Sequence, residues 1–395
     1  MVYIFSYTGI SVKKWRHGET PPGYPLQVLA LPAKSPPFAV GFPLLSLAGN
    51  SFHRNTCRTI FLIVLLLFTL GGCNGQNNKN NMNTKQNNPL LCNPENGLCE
   101  MPATVDSLTG QVNAPIAIGA KNKPIKIIYF TDPICSSCWG IEPQLRKMKL
   151  EYGDSIEIEY HMGGLLPSWD IYNSGSISKP SDVAHHWDEV SRYYQMPIDG
   201  DVWLKDPLAS SYPPSIAFKA AELQDRNKAL LFLRKMREMV FVEGKNIAKW
   251  EHIAHAALYA KLDTAQLKTN YEGKAKTLFE ADLNLAKQMG VRGFPTLFFS
   301  NKQGDSKTIS GFKPYTDFET VINTLSVNCK KKNYETAGLE LFKYYSTLCT
   351  REFAELKSIS ISEAEIILNQ FLADKKIEVT TIKNGKLWSM KKQLD

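Results

Sequence analysis

Ile125-Lys126-Ile127-Ile128-Tyr129-Phe130-Thr131-Asp132-Pro133-Ile134-Cys135-Ser136-Ser137-Cys138-Trp139-Gly140-Ile141-Glu142-Pro143 decides the fold. The apolar run Ile125 to Phe130 reads as a buried strand, and it gives way to a helix-like stretch that opens on two thiols three positions apart. At a helix start this spacing predicts that Cys135 faces solvent over the positive end of the helix dipole while Cys138 sits one turn in. Cys135 is then the nucleophile of disulfide exchange and Cys138 the thiol that resolves it. The helix is expected to run to about Tyr152, and the alternating Ile156, Ile158 and Tyr160 form the next strand. That β, α, β order predicts an α/β protein built on a central sheet.

Two further motifs lie downstream, His161-Met162-Gly163-Gly164-Leu165 and Gly290-Val291-Arg292-Gly293-Phe294-Pro295-Thr296. Together with Trp139 and Pro143 beside the thiol pair, they make residues 124–325 resemble the DsbA-like (FrnE-type) thiol-disulfide oxidoreductases and predicted disulfide isomerases of the thioredoxin superfamily. The resemblance implies a thioredoxin-like fold with an inserted helical subdomain. It implies that Pro295 is cis and that Phe294, Pro295 and Thr296 present backbone to an extended substrate. It also implies catalytic roles for Cys135 and Cys138, protein substrates carrying thiols or disulfides, and a redox recycling partner; no cofactor is expected, and no metal, since no second CxxC or His pair has ligand spacing. The activity expected is that of a disulfide oxidase or isomerase working through a mixed disulfide at Cys135.

The chain departs from the family pattern at two points. Strongly oxidising members have histidine between the cysteines, where this chain has Ser136 and Ser137. Many members place a carboxylate six residues before the first cysteine, where this chain has Tyr129. DsbA-like folds also occur as adapters that present clients to a protease, so a binding protein without redox turnover is the alternative. Small-molecule isomerase or transferase relatives lack the second cysteine, and Cys138 counts against them. Trp139 has two readings, substrate contact or internal packing. His161, His185 and His186 lack metal-ligand spacing and are read as structural or solvated.

At 395 residues and 43% hydrophobic the chain suffices for two domains and an appendage, and its net charge of +8 carries no functional weight. Residues 53–73 have the layout of a lipoprotein signal: basic residues, the apolar run Ile60 to Leu70, then Leu70-Gly71-Gly72-Cys73 with Cys73 as the lipidation site. Residues 74–105 read as an Asn-rich tether and residues 1–52 as an extension from a start placed too early. The expected location is the cell envelope, anchored to the membrane by lipid and facing the periplasm. A start at Met82 would make the chain cytoplasmic instead. In an oxidising compartment Cys92 with Cys99, and Cys329 with Cys349, are candidate structural disulfides; in a cytosol all four would stay thiols.

Residues 106–328 form the expected thioredoxin-like domain, with the helical insertion at about 180–289, where Ile247, Trp250, Ala254, Ala257 and Leu258 recur at helical spacing. A hairpin from Thr296 to Ser310 and a helix from Thr316 to Ser326 close the domain. Past Lys330-Lys331-Lys332, residues 334–395 predict a small winged-helix-like module. Its helix follows a capping box of Ser362 and Glu365, and a hairpin turns at Asn384-Gly385. That helix carries Glu363 and Glu365 and no Lys or Arg, the wrong charge for phosphate, so no nucleic acid is expected and the module reads as a packing or partner-binding domain.

Overall fold

The computed structural model describes residues 92–93, 96–100, 123–171 and 177–391. The expected extension, signal and lipidation site Cys73, and most of the tether lie outside these residues. β1 (Cys92–Asn93) and β2 (Leu98–Glu100) form a short antiparallel pair in which Cys99 is opposite Cys92. β3 (Ile125–Thr131) is buried at every position, as a central strand covered on both faces requires. The redox helix is two pieces, α1 (Ser136–Gly140) and α2 (Glu142–Tyr152), broken at Ile141. Pro143 causes the break, because it has no N–H to donate to the carbonyl four residues back. β4 (Ile156–Met162) then pairs parallel with β3, Ile125 opposite Ile156 and Thr131 opposite Met162.

The insertion is helical throughout: α3 (Pro180–Tyr194), α4 (Val202–Lys205), α5 (Tyr212–Glu222), α6 (Arg226–Phe241), α7 (Trp250–Tyr259), α8 (Thr264–Glu272) and α9 (Lys274–Gln288). It shares one continuous apolar core with the sheet, from Ile127 and Phe130 to Phe232, Met236 and Phe279. Burying side chains of this size contributes roughly 1.5–3 kcal/mol each. Polar contacts fix α9 against β4: Asp282 accepts from the Met162 amide at 2.9 Å, meets His161 Nδ1 at 2.7 Å, and pairs with Lys219 at 3.1 Å. His161 is therefore a structural residue, held by Asp282. Beyond α9 the chain forms β5 (Gly293–Phe294), β6 (Thr296–Asn301), β7 (Ser306–Ser310) and α10 (Tyr315–Leu325). The main sheet has the order β4-β3-β6-β7, and a second small sheet runs β1-β2-β5.

The C-terminal module comprises α11 (Glu340–Tyr344), β8 (Thr347–Cys349), α12 (Thr350–Lys357), α13 (Ile361–Ala373), β9 (Ile377–Ile382) and β10 (Gly385–Met390), with the sheet order β8-β10-β9. The capping box lies two residues earlier than the sequence suggested: Ser360 and Glu363 cap α13, with Ser360 N donating to Glu363 at 2.9 Å. The proposed tie between Cys329 and Cys349 is corrected, since both are free and buried. Ion pairs and hydrogen bonds hold the module instead. Arg146 of α2 donates to the Thr347 carbonyl at 2.7 Å and pairs with Glu352 at 3.2 Å. At the other end, the hairpin tip between β9 and β10 seats on the insertion, where Asn384 Nδ2 donates to Asp188 at 2.8 Å and to the Ile198 carbonyl at 2.9 Å.

Candidate functional site

The thiol pair begins where β3 ends. Asp132, fully buried, accepts the Ile134 amide at 3.0 Å on one oxygen and the Leu165 amide and Ser211 hydroxyl, both at 2.8 Å, on the other. One carboxylate thus ties the turn before Cys135 to the loop after β4 and to the start of α5. Its burial pushes its pKa up to about 6, against the three hydrogen bonds that favour the charged form. Cys135 caps α1, its Sγ accepting the Cys138 amide at 3.2 Å.

Both thiols are free, and both are fully buried. The expectation that Cys135 faces solvent is corrected. Burial raises the Cys135 thiol well above its ordinary value, and the hydrogen bond and charge of Cys138 act in the same direction. Burial also opposes ionisation of Cys138, but the hydrogen bond from Cys135 and the Arg237 guanidinium outweigh it and lower that thiol. Trp139 packs inward: Nε1 donates to the Pro197 carbonyl at 3.0 Å, the ring stacks on Phe241 at 5.5 Å, and Arg234 lies 4.3 Å over its centroid.

The second half of the site is the Phe294–Pro295 loop, whose peptide bond is cis. The Cys135 thiol donates to the Phe294 carbonyl at 3.7 Å, bringing the two sequence motifs together. Gly163 makes room for this, since any Cβ there would run into the Phe294 ring. The strand edge differs from the expected Phe294-Pro295-Thr296. Thr296 belongs to β6 and is paired on both sides, with Phe130 and Ser310. The edge residues are Gly293 and Phe294, and β2 already occupies that edge, with Cys99 opposite Phe294 and Glu100 opposite Gly293. Cys99 is disulfide-bonded, and its sulfur lies 3.2 Å from Ser137 Oγ and 3.9 Å from Ser136 Oγ.

Sequence reasoning missed Arg237. It is 1% exposed, it pairs with Glu142 of α2, and it donates to Thr131 Oγ1 at 2.6 Å and to the Asp132 carbonyl at 3.4 Å. It supplies the charge beside Cys138 that neither Tyr129 nor the two serines provide. Tyr129 is itself buried, accepts from Thr131 Oγ1 at 3.1 Å and is pushed well above its ordinary pKa by burial. Arg237 lies on α6, about a hundred residues away, in a helix whose local pattern gave no signal. Tyr194 was missed as well; its hydroxyl meets Ser137 Oγ at 2.6 Å. Among the described residues no cluster has the donors to hold a metal ion.

A family model described as Thioredoxin matches residues 129–320. The ClpXP adapter protein SpxH of Halalkalibacterium halodurans is 34% identical over 309 residues, covering 76% of this chain and 97% of that protein. The ClpXP adapter protein SpxH of Bacillus subtilis is 30% identical over 276 residues, covering 68% of this chain and 90% of that protein. Among solved structures, the cytosolic disulfide reductase DsbM of Pseudomonas aeruginosa aligns with a TM-score of 0.40 at 21% identity, over 51% of this chain and 100% of that one.

The matches to the adapters correct the reading as a disulfide oxidase or isomerase, since proteins this similar over nearly their whole length are named as adapters and not as oxidoreductases. The buried thiols agree with that correction. The expectation of an envelope protein with a lipid anchor is corrected on the same finding, since the proteins this chain matches are named as adapters of ClpXP. With it go the expectations of a redox-active disulfide, a signal peptide and a lipoprotein. The partner of such a chain is a protein.

Proposed function

The chain belongs to the family of the ClpXP adapter protein SpxH, and on that premise we propose that it is an adapter, delivering a client protein to a ClpXP protease in the cytoplasm without redox turnover. The observation that carries this reading is the match to those adapters over almost their entire length. The structure supports it in two ways. Cys135 is closed to solvent, and burial raises its thiol well above the ordinary value, a poor condition for exchange. The C-terminal module is docked on the helical insertion and the redox helix by buried ion pairs and by its hairpin tip, which places two surfaces for two partners on one protein. In this reading Cys135 and Cys138 are positioning residues of the α1 turn. The edge at Gly293 and Phe294 is where an extended client segment would add as a strand.

Pulse-chase proteomics in cells with and without the chain, each with and without ClpX, tests this. A set of proteins should be degraded more slowly without the chain, only when ClpX is present. The double variant Cys135→Ser, Cys138→Ser should restore their degradation. No change in any half-life, or rescue that needs both thiols, would overturn the proposal.

A further inference from the structure

The edge that a client would use is filled by the chain itself. β2 is antiparallel to β5 and in register with it, Cys99 on Phe294 and Glu100 on Gly293. The fit is close: a Cβ on Gly293 would stand 2.6 Å from the Cys99 carbonyl oxygen and 2.8 Å from Leu98 Cγ. β2 is fixed at two other places. The Cys99 sulfur rests on Ser137 of the thiol turn, and Phe312, just past β7, donates its amide to the Gly97 carbonyl at 3.0 Å. Cys99 itself is 1% exposed. The strand therefore touches the cis-proline loop, the thiol turn and the end of the main sheet, and Cys135 is shut behind the residue it pairs with.

A strand this short makes few ladder bonds and would leave easily on its own. Besides its contacts with Ser137 and Phe312 it carries one covalent restraint, the disulfide at Cys99, which stands opposite Cys92 in the β1-β2 pair. We propose that β2 is a built-in occupant of the docking edge, latched by the disulfide at Cys99, and that reduction of that disulfide frees the edge for an extended segment of a client protein. The role of the edge rests on the adapter reading; the latch does not. The reductant is a dithiol: two thiols give up two electrons and two protons, the S–S bond at Cys99 breaks, both its sulfurs become thiols, and the donor leaves as a disulfide. β2 is then held by its hydrogen bonds and packing alone, and the Gly293–Phe294 edge can lose its partner.

The test uses the full chain and reads alkylation of Cys135 by iodoacetamide, by peptide mass spectrometry, before and after mild treatment with dithiothreitol. Reduction should speed alkylation by about tenfold or more, the response of a site that opens locally. Hydrogen exchange of the peptide spanning Gly293 and Phe294 should rise with it. Gly293→Val, which drives a side chain into the place of Cys99 and Leu98, should give fast alkylation without reductant. Circular dichroism before and after reduction keeps opening distinct from unfolding. Equal alkylation before and after reduction, fast or slow, would overturn the latch. So would slow alkylation in Gly293→Val. None of these readouts involves ClpXP, so a working latch with no effect on client degradation would remove the adapter reading alone.

Discussion

Glu352 of the C-terminal module is wholly buried against Arg234 of the helical insertion, its two carboxylate oxygens 2.7 and 3.0 Å from the two terminal guanidinium nitrogens. The same carboxylate accepts the Cys349 amide at 2.7 Å and pairs with Arg146 of the redox helix at 3.2 Å. Arg234 in turn lies over Trp139. One acidic side chain thus joins the module, the insertion and the helix that carries the thiols.

Glu352→Gln should be costly, because it removes the buried charge that Arg234 and Arg146 share and leaves Arg234 with Glu238 alone at 2.7 Å and Arg146 with Glu142 alone at 3.9 Å. A loss of roughly 3–5 kcal/mol is expected for breaking a buried pair from one side. Urea unfolding of the variant checks this, and a loss below about 1 kcal/mol, the range of exposed pairs, would show that water reaches the network.

Asp132 gives a pH signature. Its pKa in the fold is about 6, above the ordinary 3.8, so between these values the native state holds a proton that the unfolded state has released. Stability from this group therefore falls as pH rises from about 4 to 6 and is level above that, with a span of up to about 3 kcal/mol. Asp132→Asn does not titrate, so the difference in unfolding free energy between wild type and variant should shrink over that interval. A difference that widens with pH would mean that the three hydrogen bonds outweigh burial.

Asn384 anchors the hairpin tip by two hydrogen bonds to the insertion. Asn384→Ala should cost about 1–3 kcal/mol by leaving the Ile198 carbonyl without its donor. Limited proteolysis should then release the C-terminal hairpin earlier than in wild type, while the thioredoxin-like core resists as before.

Gly163→Ala places a methyl group where the Phe294 ring lies. The ring must move, and the Phe294 carbonyl with it, so the contact with the Cys135 thiol is lost. A destabilisation of about 1–3 kcal/mol, typical of overpacking, should accompany faster alkylation of Cys135.

Much of the framework was legible in local pattern. The apolar β3, the alternating β4, the helical insertion, the β6-β7 hairpin and the β9-β10 hairpin all lie where periodicity and turn chemistry put them. The α13 cap was misread by two residues because Ser360 and Ser362 each stand three positions before a glutamate, and only backbone geometry distinguishes them. The redox helix was read as continuous, although Pro143 broke it by a rule that the sequence contains.

The sequence by itself determined the elements, the pairing of a thiol turn with a proline loop, and the family to which both belong. These depend on spacing along the chain, which a single sequence displays. Only the tertiary structure decided that Cys135 is closed, that Arg237 rather than a carboxylate stands beside Cys138, and that the edge at Phe294 is taken by Cys99. Burial and charge at a site come from residues that are distant along the chain and adjacent in space. Arg237 is 95 positions from Glu142, and Cys135 is 159 from Phe294, so no local period or motif could have announced either contact.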